Sequence, residues 1–113
     1  MSGAKARFEA LGGGRFRVSG VLDATTAGDL LTQALARFDG EPRIDIDLGG
    51  VVESDSAGLA LLIEWLRVAA IASKEIHFAN VPGQIAALAR ISEVEDLIAT
   101  GTRPGAAAET AAA

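Results

Sequence analysis

An acid and a hydroxyl stand side by side at the start of a long apolar segment of this 113-residue chain. Asp55 and Ser56 follow a strand that is expected to end near Asp47 and a short loop that contains two glycines. The segment that continues through Ala57 and Gly58 is expected to be helical, and the amino end of a helix carries partial positive charge. A hydroxyl there, where glycine allows close approach, is a position that a partner protein can recognise or an added phosphate can alter. The pattern indicates a recognition site, with Ser56 as a candidate for phosphorylation.

The same two residues also have a purely structural interpretation. Side-chain oxygens of Asp and Ser at the start of a helix accept hydrogen bonds from its first backbone N–H groups, which stabilises the helix by ~0.5–2 kcal/mol. Capping and partner recognition are compatible. Both interpretations therefore stay open for Asp55 and Ser56.

Catalysis by Ser56 is not expected. The chain's one histidine, His77, lies on a later predicted strand, between Ile76 and Phe78, whose side chains should point the opposite way. Nothing in the sequence indicates an oxyanion hole, which a serine nucleophile needs for acyl transfer. We therefore expect a protein that is not an enzyme.

Two acidic residues on another strand are a weaker candidate for a site. Asp45 and Asp47 are two residues apart and face the same way, but a strand with one solvated face explains them more simply, and no third ligand is evident. The sequence predicts no metal and no cofactor.

Composition limits the protein class. Half of the residues are hydrophobic and 22% are charged, which is typical of one globular domain. The net charge is −5 and the basic residues are scattered, so nucleic-acid binding is not expected. The chain has no cysteine, and its first ten residues hold no apolar stretch of signal-peptide length, which favours a cytoplasmic location.

Hydrophobic periodicity predicts the order β-β-α-β-α-β-α. The predicted strands cover 8–11, 15–19, 44–48 and 75–79, the predicted helices cover 25–38, 56–72 and 84–91, and 93–99 fits a strand or a helix. Three glycines at 12–14 indicate a hairpin turn between the first two strands. Helices between the later strands imply parallel crossovers, so we expect a largely parallel sheet with an antiparallel edge. The tail 102–113 has no large apolar residue and is expected to be mobile.

The helix predicted at 56–72 carries two apolar stripes. One stripe should pack on the sheet and consists of Leu59, Leu62, Ile63, Leu66, Ala69 and Ala70. The other, roughly 130° away, includes Leu61, Trp65 and Val68. A helix on a sheet needs one buried face, so the second stripe is interpreted as a docking surface with Trp65 as its aromatic anchor. The alternative is that a neighbouring helix of the same domain covers Trp65.

Three short motifs and their spacing resemble the STAS domain family, whose fold is that of bacterial anti-sigma factor antagonists. The motifs are Gly-Val-Leu-Asp at 20–23, Asp-Leu at 47–48 and Asp-Ser-Ala-Gly-Leu at 55–59. The resemblance covers about residues 7–100. Within the family, the segments 58–66 and 88–97 look most like MlaB-type proteins.

The resemblance implies a fold, a function and a set of contacts. It implies one STAS domain over 1–101, a mixed sheet of four or five strands with helices mainly on one side. MlaB-type proteins are cytoplasmic subunits that bind the ABC ATPase of a phospholipid-transport system, and they meet the inner membrane only through that complex. By this resemblance, Ser56 and the helix that follows it would lie in the ATPase contact. Together with the docking stripe, the predicted contact consists of Asp55, Ser56, Ala57, Leu61, Trp65 and Val68. The alternative is an anti-sigma factor antagonist that binds a kinase and is switched by phosphorylation of Ser56.

Overall fold

One four-stranded sheet carries the helices in the computed structural model, which describes residues 5–101. Its strands are β1 (Ala6–Gly12), β2 (Arg15–Leu22), β3 (Arg43–Ser54) and β4 (Glu75–Ala79). The helices are α1 (Ala24–Phe38), α2 (Ser56–Ile71), α3 (Gly83–Ile91) and α4 (Glu95–Thr100). The predicted order is confirmed, and the ambiguous segment 93–99 is helical over most of its length. The predicted mobile tail at 102–113 lies outside the described residues.

The sheet is mixed, as predicted. β1 pairs antiparallel with β2, while β2 with β3 and β3 with β4 are parallel, in the spatial order β1-β2-β3-β4. The turn between β1 and β2 holds Gly13 and Gly14 at φ of 65° and 80°, a region that glycine enters without steric cost. The glycines at 12–14 therefore form a hairpin turn.

Alternating side chains of the strands divide the sheet into a covered face and an open face. Phe16 and Val18 are buried under the helices, whereas Arg15 and Arg17 point to solvent, because successive side chains of a strand point to opposite faces. The covered face and the helices form one apolar core, which includes Leu22, Leu30, Phe38, Ile44, Ile46, Leu48, Leu62, Ile76 and Ile85.

β3 is longer than the sequence indicated. Residues 49–54 were expected to form a loop, but the strand continues to Ser54, and its pairing with β2 reaches Leu22 opposite Ser54. The register shifts twice, between Arg17 and Ser19 and between Gly20 and Val21, and each time β3 contributes one residue more than β2. These two irregularities interrupt the alternation in the sequence of β3 without ending its parallel ladder.

The prediction of a docking stripe on α2 is wrong for two of its three large side chains. Leu61 is 3% exposed and Trp65 is 0% exposed. The Trp65 ring centroid lies 6.0 Å from that of Phe8 and 6.3 Å from that of Phe38. The physical reason is that α2 contacts the sheet, α1 and α3, so a wide apolar arc is buried instead of one stripe. Coverage from within the domain is the correct interpretation of Trp65.

The outward side of α2 is polar over its middle turns. Glu64 and Arg67, three residues apart, form an ion pair with 3.0 Å between Arg67 Nε and Glu64 Oε1, and the guanidinium lowers the pKa of the Glu64 carboxyl. Val68 is half-buried beside them. Among residues 5–101 no helix is both long and apolar enough to cross a membrane.

Candidate functional site

Two helices begin next to each other at one end of the sheet. β2 and β3 are parallel, so their carboxyl ends lie at the same edge, and α1 follows β2 as α2 follows β3. A backbone hydrogen bond of 3.2 Å from Asp55 N–H to the Leu22 carbonyl joins the two connections. The predicted recognition site at Asp55 and Ser56 therefore has the start of α1 as its neighbour.

Asp55 caps α2, which confirms its structural interpretation. Its Oδ1 accepts a hydrogen bond of 2.8 Å from Ala57 N–H, and its backbone carbonyl accepts one of 3.0 Å from Gly58 N–H. The remainder of the carboxylate is exposed to solvent. Asp55 therefore stabilises the helix and still presents negative charge at the surface.

Ser56 is the first residue of α2 and does not cap it. Its side chain is exposed, and in the part of the chain that the structure describes its hydroxyl makes no hydrogen bond. Ala57 lies half-buried behind it. The hydroxyl is free to bond to a partner or to accept a phosphate, which the partial positive charge at the helix start would favour.

A tight contact behind the hydroxyl holds this helix start in place. Gly58 is buried, and a Cβ on it would lie 2.1 Å from Ser54 Oγ and 3.1 Å from Leu22 Cβ. Ser54 N–H donates a 2.7 Å hydrogen bond to Gln84 Oε1, from the first turn of α3. Gln84 is a positioning residue that sequence reasoning missed, because no local pattern links two residues that are 30 positions apart.

The start of α1 is closed by its own side chains. Asp23 Oδ1 accepts hydrogen bonds from Thr25 Oγ1 at 2.6 Å, Thr25 N–H at 2.9 Å and Thr26 N–H at 3.2 Å. Thr26 Oγ1 in return accepts from Asp23 N–H at 3.0 Å, which completes a capping box. The Thr25 hydroxyl is the largest cause that lowers the pKa of Asp23, and the two backbone N–H groups add to it.

The surface between the two helix starts is a depression lined by three acidic residues and one basic residue among its seven. It is lined by Lys5, Val21, Leu22, Asp23, Glu53, Ser54 and Asp55. Val52, near the carboxyl end of β3, is 78% exposed. The carboxylates of Asp23, Glu53 and Asp55 offer negative charge and hydrogen-bond acceptors around this depression.

A family model described as "Mlab, STAS domain" matches residues 9–99. The chain belongs to the MlaB-type STAS domain family. The matched residues include every element of the domain except the first positions of β1 and the last of α4. No curated protein matches this STAS domain by sequence.

A solved structure with the same fold is entitled "Structure of the Anti-Sigma Factor Antagonist SpoIIAA in its Unphosphorylated Form". It superposes on this STAS domain with a TM-score of 0.65, covering 96% of this chain and 97% of the other, at 14% identity. At that identity the similarity establishes the fold alone. The STAS fold expected from the motifs is confirmed.

The structure brings only part of the predicted contact together in this STAS domain. Asp55, Ser56 and Ala57 form one small surface at the start of α2. Val68 lies 12 residues after Ser56, which is about 18 Å along the helix at a rise of 1.5 Å per residue. Leu61 and Trp65 are buried in the core, so they are not available to a partner at the surface.

The STAS domain does not place its histidine near Ser56. His77 is opposite Asp45 on the open face, and Asp45 and Ser54 are separated by roughly 25–30 Å of β3. His77 Nε2 lies 2.7 Å from Glu75 Oε2, which also accepts a 2.7 Å hydrogen bond from Arg43. Ser56 and His77 are therefore too far apart to share a hydrogen bond.

The two aspartates of β3 are engaged with neighbouring side chains. Asp45 accepts a 3.0 Å hydrogen bond from Arg43. Asp47 accepts hydrogen bonds from Asn80 Nδ2 at 2.9 Å and Gly49 N–H at 2.8 Å, and these, the Asn80 bond above all, lower the pKa of its carboxyl. Within residues 5–101 no cluster of three His, Cys, Asp or Glu side chains is placed to hold a metal ion.

Proposed function

We propose that this STAS domain is a non-catalytic accessory subunit that binds and regulates a cytoplasmic ABC-transporter ATPase in phospholipid transport. The match of the MlaB-type family model to residues 9–99 is the observation that carries the proposal. The domain acts by contact, binds no cofactor or nucleic acid, and reaches the inner membrane only through its partner complex.

The contact is centred on the start of α2. Asp55 and Ser56 offer an exposed carboxylate and an exposed hydroxyl, and Ala57 lets a partner approach the helix closely. Val52 adds an exposed apolar side chain on one side, and Val68 extends the contact along the helix. A partner that fits this surface presents hydrogen-bond donors or basic side chains around a small apolar patch.

The test measures binding to the ABC ATPase encoded in the same genome. The wild-type protein should co-purify with the ATPase and change its ATP hydrolysis rate. Ser56→Asp places bulk and charge at the centre of the contact and should weaken binding at least about tenfold, while Ser56→Ala, which loses only the hydroxyl, should weaken it less. Thr32→Asp, which adds the same charge at an exposed position of α1, is the matched control and should bind as wild type.

Two results would contradict the proposal. One is a wild-type protein that neither binds the ATPase nor alters its rate. The other is equal binding by Ser56→Asp and Thr32→Asp, which would remove Ser56 from the contact and leave the partner surface elsewhere.

A second candidate function is a phosphorylation-switched anti-sigma factor antagonist. The observation that favours it is the exposed Ser56 hydroxyl without an intramolecular partner. A phosphate there would add about −1.5 to −2 charges and displace a bound kinase by repulsion and desolvation. Incubation with a cognate serine kinase separates the functions. A complete phosphate-sized mass shift at Ser56 supports the switch, and no shift together with ATPase co-purification supports the transport subunit.

A further inference from the structure

β1 forms an end of the sheet with hydrogen-bonding groups that point away from the domain. In the hairpin, Val21 N–H donates a 2.8 Å hydrogen bond to the Lys5 carbonyl, directly across from it. Hydrogen-bonded pairs alternate along an antiparallel ladder, so Arg7 and Glu9 also bond toward β2. The N–H and C=O groups of Ala6, Phe8 and Ala10 therefore point outward, where no strand within residues 5–101 meets them.

The exposed side chains of β1 carry opposite charges two residues apart. The side chains of Arg7 and Glu9 are 69% and 41% exposed on the open face of the sheet, with 3.7 Å between Arg7 Nη2 and Glu9 Oε2. Phe8, between them, lies on the covered face, and its ring stacks 5.0 Å from that of Phe16. It remains half-buried, so one side of this aromatic cluster is incompletely covered.

The geometry points to antiparallel pairing of β1 with β1 of a second copy of this chain, centred on Phe8. In that register the outward groups of Phe8 bond to those of the other Phe8, and those of Ala6 bond to those of Ala10. Arg7 of each copy then faces Glu9 of the other at a non-hydrogen-bonded position, where opposing Cα atoms are only about 4.5 Å apart. The close positions of the ladder thus hold two pairs of opposite charge.

The charges select this register over its neighbours. A shift of one residue in each strand sets Arg7 against Arg7 in one direction and Glu9 against Glu9 in the other, and like charges directly opposite are destabilising. Charged side chains on an edge strand usually prevent association. Here the two-fold symmetry of the pairing converts the same charges into attraction.

The same pairing would add apolar contacts on the covered face of the sheet. The two Phe8 rings would meet across the new ladder, beside the aromatic cluster that Phe8 already forms with Phe16 and Phe38. The register shift between Ala10 and Gly12 limits the paired segment to about residues 6–10. β2 separates this edge from β3, so the pairing leaves the start of α2 accessible and does not depend on the proposed function.

The test exchanges the two charges in separate proteins. In Arg7→Glu both cross-copy pairs become acid against acid, and in Glu9→Arg both become base against base. In an equimolar mixture, every cross-copy pair of the mixed dimer joins an acid to a base. The neighbouring charges within each copy stay alike in the mixture, so mixing repairs only a contact between copies.

Sedimentation velocity over a wide concentration range is the measurement, with circular dichroism to verify folding. The wild-type protein should show a concentration-dependent dimer. Each single variant should weaken dimerisation roughly tenfold, and the mixture should recover it. A wild-type protein that stays monomeric at millimolar concentration would overturn the proposal, as would a mixture that associates no better than its components.

Discussion

Two helices begin side by side in this domain, and they use their hydroxyls differently. At the start of α1, Asp23, Thr25 and Thr26 bond to one another in a closed capping box. At the start of α2, Asp55 makes a single side-chain cap hydrogen bond and the Ser56 hydroxyl makes none among the described residues. Both helices follow parallel strands and begin after an Asp, so position in the fold does not explain the difference.

A polar residue at a helix start is therefore a candidate for function only when the cap does not need it. The Thr25 hydroxyl donates a hydrogen bond to Asp23 within the cap, whereas Asp55 caps α2 without a bond from the Ser56 hydroxyl. The two starts therefore predict different responses to mutation. Changes at α1 should act on stability alone, and changes at Ser56 should act on association.

Loss of the buried Trp65 side chain, which anchors α2 in the core, should lower the stability of the domain more than any other change proposed below. Trp65→Ala removes the buried ring that contacts Phe8, Phe38 and Phe78, and should lower the free energy of unfolding by ~3–5 kcal/mol. Trp65→Phe should lose less, because it also removes an indole N–H that has no acceptor among the described residues. Urea denaturation measures both. A folded, fully stable Trp65→Ala would mean that the start of α2 is held by other contacts.

The next effect compares one glycine from each helix. Gly58→Ala places a Cβ 2.1 Å from Ser54 Oγ and should destabilise the domain by ~1–3 kcal/mol. Gly28→Ala on α1 is the matched control, because no atom lies within 4 Å of its added Cβ, and it should stabilise the domain by ~0.4–1 kcal/mol.

The cause of the Gly58 effect has its own check. Ser54→Ala removes the hydroxyl that the new methyl group would meet, so Gly58→Ala should be less damaging in that background, with a coupling of ~0.5–3 kcal/mol. Strictly additive effects would mean that the Ser54 contact does not position α2.

The sequence was sufficient to predict those elements whose hydrophobic periodicity is strong and whose signals lie within a few residues. The alternation through Ile44 and Ile46 predicted the centre of β3, and the motif at 55–59 predicted both the helix start and its cap. It was insufficient for the end of β3, because Gly49 and Gly50 break the alternation while pairing with β2, a distant segment, maintains the strand.

The sequence pattern also could not predict that Trp65 is buried. A helical wheel gives the width of an apolar arc but not the number of neighbours that cover it, and α2 is covered by the sheet, α1 and α3 together. The hydrogen bond from Ser54 to Gln84 has the same origin, since it depends on where α3 packs. The exposed part of the candidate site, Asp55 with Ser56, was predictable because it is encoded within a few residues.

Removal of each capping aspartate should change stability least and compares the two caps directly. Asp55→Ala removes one side-chain hydrogen bond and should cost ~0.5–2 kcal/mol at neutral pH. Asp23→Ala removes four, from the backbone N–H and the hydroxyl of both Thr25 and Thr26, and should cost more. Because the pKa of Asp23 is lowered on folding, its contribution is fully present above the ordinary carboxyl pKa of 3.8 and is lost as pH falls through the lower folded value. The deficit of Asp23→Ala relative to wild type, measured by urea denaturation, should therefore shrink on acidification toward pH ~2. Equal deficits for the two variants at neutral pH, or a deficit of Asp23→Ala that acid leaves unchanged, would mean that the capping box does not distinguish the start of α1 from that of α2.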